Sequence, residues 1–210
     1  MIDLTVNAFR KRRRAIFRKK IGEIHQSFGR DIVILDIGGR PDYWENIDPP
    51  NVDKIILLNI GPMELARDSR LSAFEAVVGD ACDLSSFHDG SIDLVHSNSF
   101  IEHVGGWTNI RRMAREARRV GRHGWVQTPA WECPLEPHFG VPAIHWFAWP
   151  TQARLLSAIG RFRECSIAER RGLVEEINLL TKREFISLFP GTSLFVERLG
   201  WMPKSYTAWW

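Results

Sequence analysis

A short apolar run that ends in an acid and two glycines most constrains the fold of this chain. Residues 31–39 read DIVILDIGG. The run is too short and too β-branched for a buried helix, so it predicts a buried parallel strand that leads into a tight turn. Glycine in that turn lets a ligand approach the backbone, and the N–H groups of a following helix point to the same place. The same residues also fit an ordinary strand-to-helix turn, so this segment alone does not decide whether a cofactor binds here.

Strand-like and helix-like segments alternate after this turn. Helices are predicted from Pro41, at 63–74 and at 107–120, and further buried strands at 54–60, 75–80, 91–100 and 123–129. Such alternation indicates parallel crossovers and a three-layer α/β sheet that binds ligands at the carboxyl ends of its strands. Two strand-like runs at 193–199 and 205–210 predict a hairpin at one sheet edge.

Residues 130–180 interrupt this alternation. The first part, 130–150, is rich in proline and tryptophan and predicts an irregular apolar lid or pocket wall. A helix is expected from about Thr151, and a capping box at 181–184 announces another. We therefore predict one domain, 1–210, in which 130–180 form a substrate lid.

Cations crowd the first twenty residues of the chain. A cluster of this kind can meet phosphates or an anionic surface. Apolar residues at helical spacing instead favour the solvated face of an N-terminal helix, within 1–30, that docks on the body. The cations are Arg10, Lys11, Arg12, Arg13, Arg14, Arg18, Lys19 and Lys20, and the apolar residues are Phe9, Ile16, Phe17, Ile21 and Ile24.

Apolar runs and cysteines bound the cellular setting. No run reaches membrane-spanning length, and the N-terminus lacks the apolar centre of a signal peptide, so we expect a cytoplasmic protein without a membrane span. Cys82, Cys133 and Cys165 are odd in number and widely spaced, which argues against a disulfide framework and a zinc site.

Three segments resemble the class I S-adenosylmethionine-dependent methyltransferases, in their small-molecule branch. They are LDIGG at 35–39, VVGDACDL at 77–84 and IDLVHSNSFIEHV at 92–104, and the resemblance extends from about residue 31 to 210. It implies a Rossmann-like α/β fold with a seven-stranded, mostly parallel sheet, one antiparallel edge strand and helices on both faces. The irregular lid would follow the fifth strand.

This resemblance also implies which residues bind the cofactor, S-adenosylmethionine. One group lies against its methionine part, one residue bonds its ribose, two face its adenine, and two lie where the fourth strand passes the sulfonium. In that order the matching residues are Asp36, Gly38 and Gly39; Asn59; Asp80 and Ala81; and Ser97 and Asn98.

Two positions depart from the family pattern. Arg40 replaces a small residue after the glycines, where it either reaches the cofactor's carboxylate or points to solvent. Asn59 replaces an acid and bonds a ribose hydroxyl with less charge assistance. A nicotinamide dehydrogenase is the runner-up use of such a sheet, but it would need a third glycine in the part of the turn that Asp42 occupies.

The absence of certain motifs limits which kinds of acceptor atom this chain would methylate. Adenine-N6 methyltransferases share an Asp/Asn-Pro-Pro-aromatic motif after the fourth strand, whereas residues 98–100 of this chain read Asn-Ser-Phe. The Pro-Cys dipeptide of cytosine-C5 methyltransferases does not occur. No lysine falls on the early strand tips or in the lid, as ribose 2′-O enzymes would require. Nucleic acid is therefore disfavoured as a substrate, and a hydroxyl acceptor calls for a base.

Histidines are the candidate bases, because imidazole accepts protons near neutral pH. We rank His145 first, since Ile144 and Trp146 flank it and favour a neutral ring. His138 lies beside Glu136, which would hold it charged. His103 follows the fourth strand and is the third candidate.

The lid further resembles a known group of enzymes at residues 136–146, EPHFGVPAIHW. The segment looks like one in bacterial methyltransferases encoded with sugar and polysaccharide pathways. In particular, the chain resembles compact sugar O-methyltransferases of mycobacterial methylmannose polysaccharide biosynthesis. Flat aromatic faces that pack on sugar C–H surfaces suit this reading, although the same rings could fill the core. The candidate substrate residues are Glu136, Trp131 and Trp146, with Trp149 nearby.

The sequence thus predicts a methyltransferase that acts on a hydroxyl of a sugar, oligosaccharide or other small molecule, with a mannoside as one candidate. The alternatives are an RNA or quinone methyltransferase, or a non-catalytic cofactor-fold binding module if Arg40 and Asn59 have spoiled the site. The sequence does not decide whether the protein forms a homodimer or binds a divalent metal such as Mg²⁺. Carboxylates that would serve such a metal are Asp80, Asp83, Glu102, Glu132 and Glu136.

Overall fold

A computed structural model describes residues 2–45, 47–63, 74–135 and 138–210, with backbone alone for 2–8 and 45. The α-helices are α1 Ile2–Phe28, α2 Pro41–Glu45, α3 Trp107–Val120, α4 Trp149–Ser157, α5 Ile167–Glu175 and α6 Lys182–Leu188. The strands are β1 Ile32–Ile37, β2 Val52–Asn59, β3 Phe74–Val78, β4 Ile92–Asn98, β5 Gly121–Pro129, β6 Ser193–Leu199 and β7 Met202–Trp209. Short 3₁₀ turns occur at Ile101–His103, Ile144–Trp146 and Gly160–Phe162. The helix expected at 63–74 falls almost wholly outside the described residues.

All seven strands form one sheet in the order β3-β2-β1-β4-β5-β7-β6. The pairs among β1 to β5 are parallel, and β7 runs antiparallel to both β5 and β6. The predicted fold class is confirmed. The antiparallel strand is β7, which lies one place in from the edge strand β6.

Side chains of the central strands alternate between two cores, as the two-residue period of a strand requires. On β1, Leu35 and Ile37 join a cluster with the apolar faces of α3 and α6, whereas Ile32 and Ile34 join a cluster with α1. Helices therefore cover both faces, and the carboxyl ends of β1 to β5 share one edge.

The docking of the N-terminal helix is confirmed. Phe17, Ile21 and Ile24 of α1 are buried, and Ile16 packs against the same cluster. Arg18 donates to the carbonyl oxygens of Ile47 and Asp48, so the helix is also tied to the loop before β2. No helix in the described part of the chain is long and apolar enough to cross a membrane.

The lid is more ordered than its composition suggests. It holds a small core of its own, built around Phe139, Ile144 and Leu156. Helix α4 begins at Trp149, two residues before the expected start, and a Ser166–Glu169 capping box that sequence analysis missed starts α5. The capping box at Thr181 and Glu184 is confirmed at α6.

An ion pair between the half-exposed Arg30 and the buried Asp93 ties the segment just after α1 to the sheet. Both oxygens of the Asp93 carboxylate accept from the Arg30 guanidinium, at 2.7 and 2.8 Å, and one also accepts from the N–H of Val33 at 2.9 Å. Burial by itself raises the pKa of Asp93, but these hydrogen bonds outweigh it and hold that pKa below its ordinary range.

We expect Asp93→Asn to lower the free energy of unfolding at pH 7 by about 1–3 kcal/mol, the cost of a disrupted buried hydrogen-bond set. A carboxylate with a lowered folded-state pKa stabilises above its unfolded pKa of about 4, and this contribution is lost as pH falls through the folded pKa. Urea unfolding at pH 7 and at about pH 3 should therefore show a gap between variant and wild type that shrinks in acid. Glu164→Gln, which neutralises an exposed carboxylate, is the control, and a gap that is unchanged in acid would contradict the account.

Candidate functional site

The glycine turn after β1 is built against two side chains. Gly38 has a φ of +73°, and a Cβ there would lie 2.0 Å from the ring of Phe100. A Cβ on Gly39 would lie 2.0 Å from Oδ2 of Asp36. Both positions therefore require glycine, because the turn packs directly on Phe100, two residues beyond β4, and on Asp36 of β1.

Asp36 is the centre of a buried polar network. Its Oδ1 lies 2.6 Å from His96 Nδ1 on β4, and its Oδ2 accepts from Trp44 Nε1 on α2 at 2.6 Å. His96 Nε2 in turn lies 3.1 Å from the Tyr43 hydroxyl. A neutral His96 satisfies both neighbours when Nδ1 donates to Asp36 and Nε2 accepts from Tyr43. Burial raises the pKa of Tyr43, so its hydroxyl keeps the proton that this arrangement needs.

A cavity of about 210 Å³ opens beside this network, at the carboxyl ends of β1 and β4. Its lining brings together four of the predicted cofactor residues. The lining residues are Asp36, Gly38, Gly39, Arg40, Asp42, Tyr43, His96 and Asn98. Oδ1 of Asn98 is buried and has no hydrogen-bond partner in the described part of the chain, so the wall of this cavity offers an unused acceptor.

The other predicted cofactor residues differ in how they face this edge. Asn59, at the end of β2, donates to the carbonyl oxygen of Gly39 at 3.0 Å, so it supports the turn. Asp80 and the buried Ala81 follow β3, and Asp80 Oδ1 accepts from the N–H of Cys82. Ser97 is fully buried and donates to Ile37, so its side chain faces the sheet interior.

An unpartnered acceptor and a glycine turn at adjacent strand ends are what the methionine part of S-adenosylmethionine would need. Its ammonium group donates hydrogen bonds, and backbone without a Cβ permits close approach. The residues present therefore fit the cofactor that the resemblance implies. The sequence allowed Arg40 to reach the cofactor's carboxylate or to point to solvent. In the structure Arg40 is exposed, and its Nε lies 3.2 Å from Oδ1 of Asp42.

Two of the three candidate bases meet. His103 follows β4 in the 3₁₀ turn, and its Nε2 lies 3.1 Å from Nε2 of His138 in the lid. The neighbouring Glu102 is fully buried and accepts from the Thr128 hydroxyl at 2.9 Å. Because one nitrogen of the histidine pair donates to the other, at least one of the two rings presents a proton acceptor in this arrangement.

His145 lies in a different place. Its Nε2 is 2.8 Å from the carbonyl oxygen of Trp131, so Nε2 carries a proton, and the buried Nδ1 has no partner in the described part of the chain. A cavity of about 180 Å³ is lined by His145 with Trp131, Gln152 and Asn178. None of the residues that line this cavity also lines the cavity at the carboxyl ends of β1 and β4.

Two of the predicted substrate residues, Trp131 and Trp146, lie in the same part of the lid. Trp131 and Trp146 are 38% and 46% exposed, and Trp149 is 39% exposed, so these rings do not fill the core. Trp146 also donates to the carbonyl of Trp131 at 2.9 Å. Glu136 lies outside the described residues.

Two of the carboxylates expected for a divalent metal are engaged in other contacts. Asp83 accepts from the N–H of Ser85, two residues away, whereas Glu132 accepts from the N–H of Lys182 and the hydroxyl of Tyr206, 50 and 74 residues away. In the described residues, one group of side chains has metal-ligand spacing: Glu102, His103 and His138 offer atoms within 4.8 Å of one another. Two imidazoles suit a transition metal better than Mg²⁺, which prefers oxygen ligands.

Several residues at this edge were not selected by sequence analysis. His96 stands inside a strand, where a polar residue at a buried position in IDLVHSNSF was the available signal. Tyr43 and Trp44 carry no motif and become visible only through their contacts with His96 and Asp36.

We expect Asp36→Ala to lower the free energy of unfolding by about 2–5 kcal/mol, because Trp44 and His96 would each lose a buried partner. Asp36→Asn should cost less, since His96 can change tautomer and accept from the new amide. Denaturant unfolding measures both, with Asp53→Ala as an exposed control expected within about 0.5 kcal/mol of wild type. An Asp36→Ala protein as stable as that control would contradict the network's role.

Comparison with known proteins is consistent with this geometry. Residues 42–126 match the family model for a methyltransferase domain, which covers less than half of the chain and begins after the glycine turn. Comparison with curated proteins finds no significant match.

Solved structures with the same fold include three that align with similar TM-scores. A candidate O-methyltransferase from Nostoc punctiforme aligns with a TM-score of 0.52 and 14% identity, over 95% of this chain and 56% of that one. An O-methyltransferase family protein from Burkholderia thailandensis gives 0.52 and 11%, over 96% and 58%. A protein from Pyrococcus horikoshii gives 0.51 and 18%, over 92% and 89%.

This chain thus spans just over half the length of the two O-methyltransferase structures. At these identities the likeness establishes the fold. Residues 42–126 are similar to a methyltransferase domain, and the solved structures share the fold of the chain.

Proposed function

We propose that this protein is an S-adenosylmethionine-dependent O-methyltransferase that transfers a methyl group to a hydroxyl of a sugar, oligosaccharide or similar small polar molecule. The observation that carries the proposal is the cavity at the ends of β1 and β4, whose lining unites Asp36, Gly38, Gly39 and Asn98. Polar residues converge there on the edge where α/β sheets bind their ligands.

Each residue of this edge has a defined task in the proposal. The glycine turn takes the methionine part of the cofactor, and Asn98 Oδ1 accepts a hydrogen bond from it. Asn59 positions the turn and faces the ribose, and Asp80 accepts from the adenine amine. When bound, the cofactor supplies an electrophilic methyl group, so the protein must align the acceptor oxygen and remove its proton.

We place the base in the His103–His138 pair rather than at His145, which the sequence ranks first. His103 is linked to the cofactor cavity through Phe100, whose carbonyl accepts from the N–H of His103 and whose ring packs on Gly38. His145 instead lines the separate cavity in the lid. The acceptor O–H would replace one nitrogen of the histidine pair as hydrogen-bond donor and would give its proton to the accepting nitrogen. The methyl group would pass from the cofactor's sulfur to the acceptor oxygen, with S-adenosylhomocysteine as the leaving group.

The lid cavity supports a sugar as the acceptor. Trp131 offers a half-exposed aromatic face, and Gln152 and Asn178 line the same space with amides. Aromatic faces combined with neutral hydrogen-bonding groups suit the alternating C–H and O–H surface of a sugar.

The base is tested by turnover on an acceptor found by screening methyl transfer onto mono- and disaccharides. We expect His138→Ala to lower turnover by roughly 10²–10⁴ while cofactor affinity stays within a factor of about three, as the loss of a general base requires. His88→Ala removes an exposed histidine elsewhere and should leave turnover unchanged. The wild-type rate should rise with pH through one ionisation in the neutral range.

His145→Ala provides the opposing outcome. If His145→Ala causes the large loss and His138→Ala retains more than about a tenth of the activity, the base lies at His145 and our placement is wrong. The same assay after exhaustive chelation separates a base from a metal ligand, because loss of activity on chelation would assign Glu102, His103 and His138 to a metal instead.

A further inference from the structure

A second cavity, of about 290 Å³, adjoins the candidate cofactor cavity. Arg10, Arg13 and Arg14 of α1 line one side of it. Its remaining wall includes Asp42, Tyr43 and Asn98, which also line the cofactor cavity. The two cavities are therefore neighbours with a common wall, and any ligand of the second would lie next to a cofactor in the first.

Positive charge in this cavity exceeds its counter-charge. Arg13 is paired with the buried Glu197 at 2.9 Å, and Asp42 is shared with Arg40. Arg10 and Arg14 have no ion pair with any acid in the described residues. Lys204 adds another cation nearby: burial lowers its pKa most, and the charges of Arg13 and Arg10 lower it further.

Cofactor binding would increase this imbalance. S-adenosylmethionine carries a sulfonium and an ammonium against one carboxylate, so it brings a net positive charge beside the arginines. Like charges held close in a partly buried space repel one another. A negatively charged co-ligand would relieve that repulsion, and guanidinium groups are well suited to hold phosphate or sulfate through paired N–H donors.

Asn98 and Ser99 form part of the wall where the two cavities adjoin. Ser99, which lines the arginine cavity, has a φ of +53°, a left-handed conformation that is unusual for a serine. The turn places it directly after Asn98, and its hydroxyl is fixed by donation to Gln127 at 3.0 Å. The unpartnered Oδ1 of Asn98 therefore stands where one ligand would meet the other.

We propose that the methyl acceptor is an anionic small molecule, a phosphorylated or sulfated sugar or similar alcohol, whose anionic group is bound by Arg10 and Arg14. This inference rests on the proposed function and narrows its substrate class. The acceptor's anionic group lies in the arginine cavity, and the rest of the molecule extends past Asn98 toward the cofactor. A concave space of this size encloses a small ligand rather than a nucleic-acid strand.

The test uses inorganic pyrophosphate as the probe and the double variant Arg10→Gln/Arg14→Gln. Calorimetry measures pyrophosphate binding to the protein, alone and saturated with S-adenosylhomocysteine. The expected result is wild-type binding that the double variant weakens at least tenfold, with cofactor affinity changed less than threefold. Arg183→Gln, an exposed arginine on α6 that lines neither cavity, should bind pyrophosphate like wild type.

Four outcomes would overturn the inference. The first two are a wild-type protein that does not bind pyrophosphate and a double variant that binds it as well as Arg183→Gln does. A double variant that loses cofactor affinity tenfold would assign the arginines to the cofactor's carboxylate. Arginine-dependent binding of a short RNA oligonucleotide without pyrophosphate binding would assign them to nucleic acid.

The proposed function is tested separately in the same titrations. Absence of S-adenosylhomocysteine binding in the wild type would reject the methyltransferase proposal, whereas arginine-dependent pyrophosphate binding would still identify the anion site. With an active acceptor in hand, the double variant should raise KM at least tenfold with little change in kcat, because it removes binding contacts and leaves the base in place.

Discussion

The buried contact between Asp36 and His96 is the interaction on which the rest of this structure depends. Both side chains are 2% exposed or less, and an ionisable group buried that deeply is costly unless its hydrogen bonds are complete. Trp44 and Tyr43 complete them from α2. The network thereby joins β1, β4 and α2 at the edge of the sheet where both the candidate cofactor cavity and the arginine cavity open.

The same network connects the N-terminal helix to the site. Phe17 of α1 packs on the rings of Trp44, His96 and Trp125, with centroids 5.9, 4.8 and 5.2 Å apart. This contact fixes the buried face of the helix, and the helix then carries Arg10, Arg13 and Arg14 to the mouth of the site. The apolar stripe of the helix thus anchors it to the body, and its basic face supplies positive charge to the neighbouring cavity.

Much of this architecture could be predicted because it is written in local patterns. The apolar runs of β1, β2 and β4, the amphipathic α3 and the capping box before α6 each have a period or a spacing that identifies the element. The role of His96 could not be predicted in the same way, because its partners are 60 residues away on β1 and 53 away on α2. The contact of His103 with His138 and the separation of His145 likewise depend on how the lid folds, which composition rich in proline and tryptophan does not specify.

The central claim is that the edge formed by Asp36, Gly38, Gly39 and Asn98 binds S-adenosylmethionine. Calorimetric titration of the wild-type protein with that cofactor tests it most directly. The account predicts saturable binding of one cofactor per chain with a micromolar dissociation constant, together with comparable binding of the product S-adenosylhomocysteine. Absence of heat from binding at millimolar cofactor would contradict the claim and favour a binding module that keeps the fold without the chemistry.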